Sequence, residues 1–171
     1  MQTFLKVNRR KIISNLLQFI VFIGIIAAIA FWQTRNLLSE NTIAPTLNIT
    51  SLSGETYIID KKKTVIIYFF APWCRICKFT NSNISDLYKS LDPKDYEIIP
   101  IALSWNDIDE IKKYKEKYKM PMKVFVGDKE LGFKYKVESY PTFYIIKKGK
   151  IINTVVGYTT TFGLRIRAQF L

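Results

Sequence analysis

An apolar run near the N-terminal end sets the first constraint on what this chain can form. From Leu16 to Trp32 it reads LLQFIVFIGIIAAIAFW, interrupted only by Gln18, and with Ile12 and Ile13 the stretch covers 21 residues. As a helix that stretch would be about 31 Å long at ~1.5 Å per residue, matching a bilayer hydrocarbon thickness of roughly 30 Å. No polar stripe breaks the run, as a core helix of a soluble domain would require. Lys6, Arg9, Arg10 and Lys11 precede it, and Arg35 is the nearby basic residue after it. The positive-inside rule then holds the N-terminus in the cytoplasm and exports everything beyond the run to the periplasm, as a single-pass protein of the inner (cytoplasmic) membrane. Ala28-Ile29-Ala30 offers a rival reading, a signal peptide cut after Ala30. An uncleaved anchor is preferred. The expected organisation is a cytoplasmic basic tail over 1–11, a transmembrane signal-anchor helix over 12–33, a linker over 34–46 and one folded domain over 47–171.

Composition narrows the chemistry. Of 171 residues, 49% are hydrophobic, enough to fill a real core. There is no histidine, which removes imidazole acid–base chemistry, histidine metal ligands and catalytic triads together. Cys74 and Cys77 are the only cysteines, too few for a four-ligand zinc site in one chain or a multi-bridge scaffold. The net charge of +12 is spread along the sequence. Lys112, Lys113, Lys115, Lys117 and Lys119 read as the solvated face of a helix, with a general attraction to anionic lipid surfaces second and no nucleic acid expected.

In the exported part, Leu47–Thr50 and Tyr57–Asp60 read as strands around a Ser53-Gly54 turn, and TVIIYFF over 64–70 reads as a central buried strand. A helical pattern follows Cys74, with Phe79, Ile84, Leu87, Tyr88 and Leu91 as its apolar residues. Further strands are expected over 96–103 and 122–126, and a helix capped by Asn106 or Asp107 runs to about Tyr118. A turn or helix is expected over 128–135. Strands over 142–147 and 150–156 flank Lys148-Gly149. A last helix carries Phe162, Leu164, Ile166 and Phe170. Strands alternating with helices and ending in a hairpin make an α/β protein with a mixed sheet.

Cys74 and Cys77 stand three residues apart where a buried strand turns into a helix, within range to bridge. A helix N-terminus favours an anion, and Arg75 adds positive charge that tunes the Cys74 thiol towards thiolate, the attacking species. Cys77 would then resolve the mixed disulfide. Phe70-Ala71-Pro72-Trp73-Cys74-x-x-Cys77, Tyr140-Pro141-Thr142 and the Lys148-Gly149 hairpin together resemble the thioredoxin superfamily. Their order and spacing are similar to its membrane-anchored periplasmic disulfide oxidoreductases. The ending Gly157-Tyr158-Thr159-Thr160-Thr161-Phe162-Gly163-Leu164-Arg165 resembles the copper-sensitivity-suppressor subgroup of that branch.

The resemblance implies a thioredoxin-like mixed sheet flanked by helices, and a protein-disulfide oxidoreductase with Cys74 as nucleophile and Cys77 as resolving thiol. It implies a cis peptide before Pro141, with Trp73, Tyr140 and Pro141 contacting substrate. No cofactor beyond the redox-active Cys74–Cys77 disulfide and no metal are expected. The partners would be exported proteins with cysteines and a membrane thiol-redox protein, with the lean towards reductase over oxidant. One departure stands out: Tyr68 occupies the strand position where relatives often carry a buried acid that relays the Cys77 proton. The alternative is a Cu(I)-handling thiol protein of the cell envelope; Met120 and Met122 could add soft ligands to it, but packing at a strand start is the preferred reading of both.

Overall fold

The computed structural model describes residues 9–170; of the basic tail expected over 1–11, residues 1–8 lie outside the described residues. The chain divides into two units, Met1–Asn36 and Leu37–Leu171. The first contains one helix, α1 (Arg9–Thr34). Its stretch Lys11–Ile29 is long and apolar enough to cross a bilayer, and the apolar side chains described along it are exposed rather than packed against protein.

The second unit is a seven-stranded mixed sheet covered on both faces. Its elements are β1 (Ile49–Ser51), β2 (Thr56–Tyr57), β3 (Thr64–Phe70), α2 (Arg75–Ser90), β4 (Tyr96–Ala102), α3 (Ile108–Lys117), β5 (Phe125–Val126), α4 (Lys129–Lys134), β6 (Thr142–Lys147), β7 (Lys150–Val156) and α5 (Thr161–Phe170). The strand order is β2-β1-β5-β4-β3-β6-β7. β3 runs parallel to β4 and antiparallel to β6, so it lies inside the sheet. All seven of its residues are buried, which is why its sequence is a continuous β-branched and aromatic run rather than an alternating one. Ile66, Tyr68 and Phe70 face a core closed by α2, α3 and α5. Val65, Ile67 and Phe69 face a second core closed by α4 and residues 37–49. Both cores are built wholly from residues 37 onward, so this unit carries its own means of folding.

Side-chain caps set the helix boundaries. Asp107 accepts the Glu110 N–H at 2.7 Å and starts α3, and Asp128 accepts the Leu131 N–H at 2.7 Å and starts α4. The β6–β7 hairpin turns at Lys148 and Gly149, both with positive φ, which glycine adopts freely.

Several expectations change. The strands over 47–50 and 57–60 become Ile49–Ser51 and Thr56–Tyr57. The linker over 34–46 is shorter, because Leu37 is buried, the Asn41 N–H donates to Ile151 O at 2.7 Å and Ile43 bridges Lys150. The strand over 122–126 shrinks to Phe125–Val126. In α2, Phe79 is 64% exposed, and in α5 the buried face is Leu164 with Ala168, leaving Phe162 and Ile166 outside. Each helix presents only one stripe to the sheet, and these apolar residues fall off it.

Gly127, at the end of β5, shows how closely the second core is filled. A Cβ there would lie 2.7 Å from Leu103 Cδ2 and 2.8 Å from Ile101 Cγ2, both on buried side chains. Gly127→Ala is therefore expected to destabilise the domain by about 1–3 kcal/mol through overpacking, read as a lowered midpoint in urea at unchanged m-value.

Candidate active site

β3 ends at Phe70, and the short segment Ala71-Pro72-Trp73 turns the chain into α2. The Cys74 N–H donates to Ala71 O at 3.0 Å, closing that turn. Cys74 is the N-cap of α2 with extended backbone, and its Sγ accepts the Cys77 N–H at 3.1 Å. A sulfur thus occupies the place that Ser or Asp usually fills at a helix start. The two sulfurs form a disulfide with the Cα atoms 5.3 Å apart. Cys77 is 0% exposed and Cys74 only 5%, so the pair sits under the surface with Cys74 as its accessible side.

Residues far along the chain close over it. The Tyr140–Pro141 peptide bond is cis, and the Tyr140 carbonyl oxygen lies 3.6 Å from Cys74 Sγ. This segment is tied to the sheet, because Pro141 O accepts the Gly157 N–H at 2.8 Å and Thr142 Oγ1 donates to Ser139 O at 2.7 Å. Trp73, 59% exposed, meets the Tyr140 ring edge-on at 5.8 Å. Its indole N–H donates to Ser104 O at 2.8 Å, and the Ser104 and Tyr140 hydroxyls share a hydrogen bond of 2.8 Å. Trp73, Ser104 and Tyr140 therefore form one rim. Arg75 is the first residue of α2 and is exposed, so its charge lies at the helix N-terminus in contact with solvent.

Below the disulfide lies a buried polar chain. Tyr68 Oη is 3.3 Å from Cys77 O and 3.2 Å from Asn81 Oδ1, so its one proton serves either acceptor, and Asn81 Nδ2 donates to Tyr114 Oη at 2.8 Å. Burial pushes the Tyr68 hydroxyl well above its ordinary value, and Tyr114 beside it adds to the shift. Burial likewise raises Tyr114. The floor of the site thus stays uncharged at neutral pH.

The structure brings Trp73, Cys74, Cys77, Tyr140 and Pro141 together at one place. It leaves Met120 and Met122 buried in the core, where they pack rather than offer sulfur to an ion at the surface. Ser104, Asn81 and Tyr114 were missed. Asn81 carried a signal, since it follows Cys77 by four residues and so shares its buried face. Ser104 lies just beyond a strand end and carried none.

The AhpC/TSA family model matches residues 41–155. A thioredoxin-like protein of Haemophilus influenzae is 25% identical over 165 residues, spanning 94% of this chain and 95% of that protein. The thiol-disulfide oxidoreductase ResA of Bacillus thuringiensis is 28% identical over 135 residues, 76% of this chain and 77% of that one. The crystal structure of the exposed lipoprotein thioredoxin Etrx1 from Streptococcus pneumoniae superposes with a TM-score of 0.65 at 25% identity, covering 74% of this chain and all of that one. The copper-sensitivity-suppressor likeness rests on the 157–165 ending alone.

The buried tyrosine sets a pH dependence. An unfolded tyrosine loses its proton near pH ~10, whereas folded Tyr68 holds its proton to higher pH. Above that point the native state binds more protons than the unfolded state, so stability falls as pH rises, by up to about 1.4 kcal/mol per pH unit for one group. Tyr68→Phe also removes the one donor shared between Asn81 Oδ1 and Cys77 O, costing roughly 1–3 kcal/mol at neutral pH. The stability gap between wild type and Tyr68→Phe is expected to be constant below pH ~10 and to narrow above it. Urea titrations across that range read it.

Proposed function

This chain belongs to the AhpC/TSA family, and we propose that it is a membrane-anchored thiol–disulfide oxidoreductase that exchanges disulfides with exported proteins through Cys74 and Cys77. The observation that carries this reading is the Cys74 sulfur, which caps α2 through the Cys77 N–H and faces the Tyr140 carbonyl on the accessible side of the pair. In the reduced state that N–H and the aligned amides of α2 favour negative charge on Cys74 over Cys77.

In the reductive direction, the Cys74 thiolate attacks one sulfur of a substrate disulfide. A Cys74–substrate disulfide forms and one substrate thiolate leaves. Cys77, after losing its proton, attacks the Cys74 sulfur, the internal disulfide forms, and the second substrate thiolate departs. Two electrons have passed to the substrate for each disulfide reduced, and a membrane thiol-redox partner would return them. The rim of Trp73, Tyr140 and Pro141 would hold the substrate segment beside Cys74, with an extended chain laid along the Tyr140 backbone. Arg75 would favour the thiolate through its charge at the helix start. Residues 12–33 would anchor the protein in the inner membrane, with 1–11 in the cytoplasm and the folded domain in the periplasm.

Cys74→Ser should reduce insulin-type disulfides no faster than the uncatalysed background. Cys77→Ser should instead trap substrate as mixed disulfides through Cys74, visible on non-reducing gels. Alkylation of Cys77 before Cys74 in the reduced protein would reverse the roles. For the anchor, full-length protein should stay with membranes through alkaline carbonate extraction; a soluble mature form beginning at Phe31 would establish cleavage instead.

A further inference from the structure

We propose that the end of the domain remote from the thiols is a docking surface for an anionic lipid bilayer. A groove of about 580 Å³ opens there, with Ile43, Leu47 and Ile58 in its wall and Lys61, Lys148 and Lys150 around it. Ile43 is 75% exposed and Ile58 is 82% exposed, the two most exposed aliphatic side chains of the domain among the described residues. Nothing in the fold of the domain covers them. Lys61 reaches across to the β6–β7 turn: a Cβ added at Gly149 would sit 3.5 Å from its Cε. Its stem thereby lies beside the turn that carries Lys148 and Lys150. Lys62 and Lys63 follow Lys61 in its own turn. The acid within that turn, Asp60, accepts the Lys62 N–H at 2.9 Å. The nearby Glu97 is engaged by the Tyr57 hydroxyl at 2.8 Å.

Two features select lipid as the occupant. The first is the combination of exposed branched aliphatics with a ring of flexible ammonium groups. Lysine stems lie along apolar surface while their heads reach phosphate oxygens, and the isoleucines enter the acyl boundary. A second lysine-rich concavity, formed by Lys112, Lys115, Lys119 and Lys123, lacks this combination. There Lys112 pairs with Asp109 and Lys123 with Glu55. The second is the tether. α1 ends at Thr34 and the folded unit begins at Leu37, so two residues join a membrane-length helix to the domain, and the effective lipid concentration at the domain surface is very high. This second argument rests on the anchor reading; the first does not.

The groove also stands apart from the redox chemistry. Lys61–Lys63 precede β3 and Cys74 follows its far end, and seven strand residues separate the two ends by roughly 20 Å. A domain docked by this end would keep the thiol rim turned towards soluble substrates.

The test uses residues 37–171 without α1, because that unit holds both cores. It is sedimented with phosphatidylcholine vesicles, with and without phosphatidylglycerol. The domain is expected to partition onto the phosphatidylglycerol vesicles only. Replacing Lys61, Lys148 and Lys150 by Gln should weaken partitioning roughly fivefold per lysine. Ile43→Ser with Ile58→Ser should weaken it roughly tenfold or more. Insulin reduction should be unchanged in both variants, which confirms the fold. Replacing Lys112, Lys115 and Lys119 by Gln should have the smallest effect. The proposal is overturned if that last variant loses as much as the groove lysines do, if the isoleucine pair has no effect, or if the domain binds neither vesicle. None of these outcomes depends on whether α1 survives carbonate extraction, so the anchor and the docking surface fail separately.

Discussion

Strand β3 is buried along its whole length, and the rest of the domain is arranged around that fact. A strand buried on both faces needs a layer on each side and a hydrogen-bonded neighbour on each edge. β4 and β6 provide the edges, α2, α3 and α5 cover one face, and α4 with residues 37–49 covers the other. Packing from both sides holds the C-terminal end of β3 in place, and Cys74 stands four residues beyond it. The same burial explains the one polar anomaly in the strand. Tyr68 is stacked between Phe70 and Phe143, with ring centroids at 5.4 and 5.0 Å, so its hydroxyl is directed at the Cys77 carbonyl and Asn81 of α2, with Tyr114 of α3 beside it. A buried hydroxyl left without a partner would be costly, and the Cys77 carbonyl and Asn81 Oδ1 offer this one two acceptors.

What the sequence made legible follows the strength of each local signal. β3, β6 and β7 carry long β-branched runs, and the structure places them over the residues expected. Asp107 and Asp128 begin helices because a carboxylate can satisfy free amides in any context. The site was legible for the same kind of reason: cysteine spacing, a strand-to-helix junction and an X-Pro dipeptide are all local. What was not legible depends on long-range contact. Phe79 and Phe162 look like core residues by type, yet α2 turns Ile84 and Leu87 inward and α5 turns in Leu164 and Ala168. Residues 37–46 look like a linker by composition, yet they pair with the β7 edge through Asn41 and Ile43. Ser104 joins the rim only because β4 ends beside the segment before β6. No pattern in a single chain encodes those meetings.

The division of labour between the two thiols follows from where charge can be tolerated. A thiolate on Cys77 would be wholly buried, above a floor of Tyr68, Asn81 and Tyr114 that stays neutral because burial holds both hydroxyls protonated. Desolvation opposes that charge, and no cation in the floor repays it. A thiolate on Cys74 has the Cys77 N–H aimed at it, the end of a sixteen-residue helix behind it and Arg75 beside it in solvent. Both sulfurs belong to one short turn, so their difference is environmental rather than intrinsic. Under the proposed exchange, negative charge would therefore rest on Cys74 and reach Cys77 only while the mixed disulfide occupies Cys74. That asymmetry suits a pair that must attack outward first and resolve inward second. It also places the demanding proton loss at Cys77, where the neutral floor offers hydrogen bonds but no base. On the proposed exchange, the proton of Cys77 would accordingly leave towards the substrate side, where departing thiolate is generated.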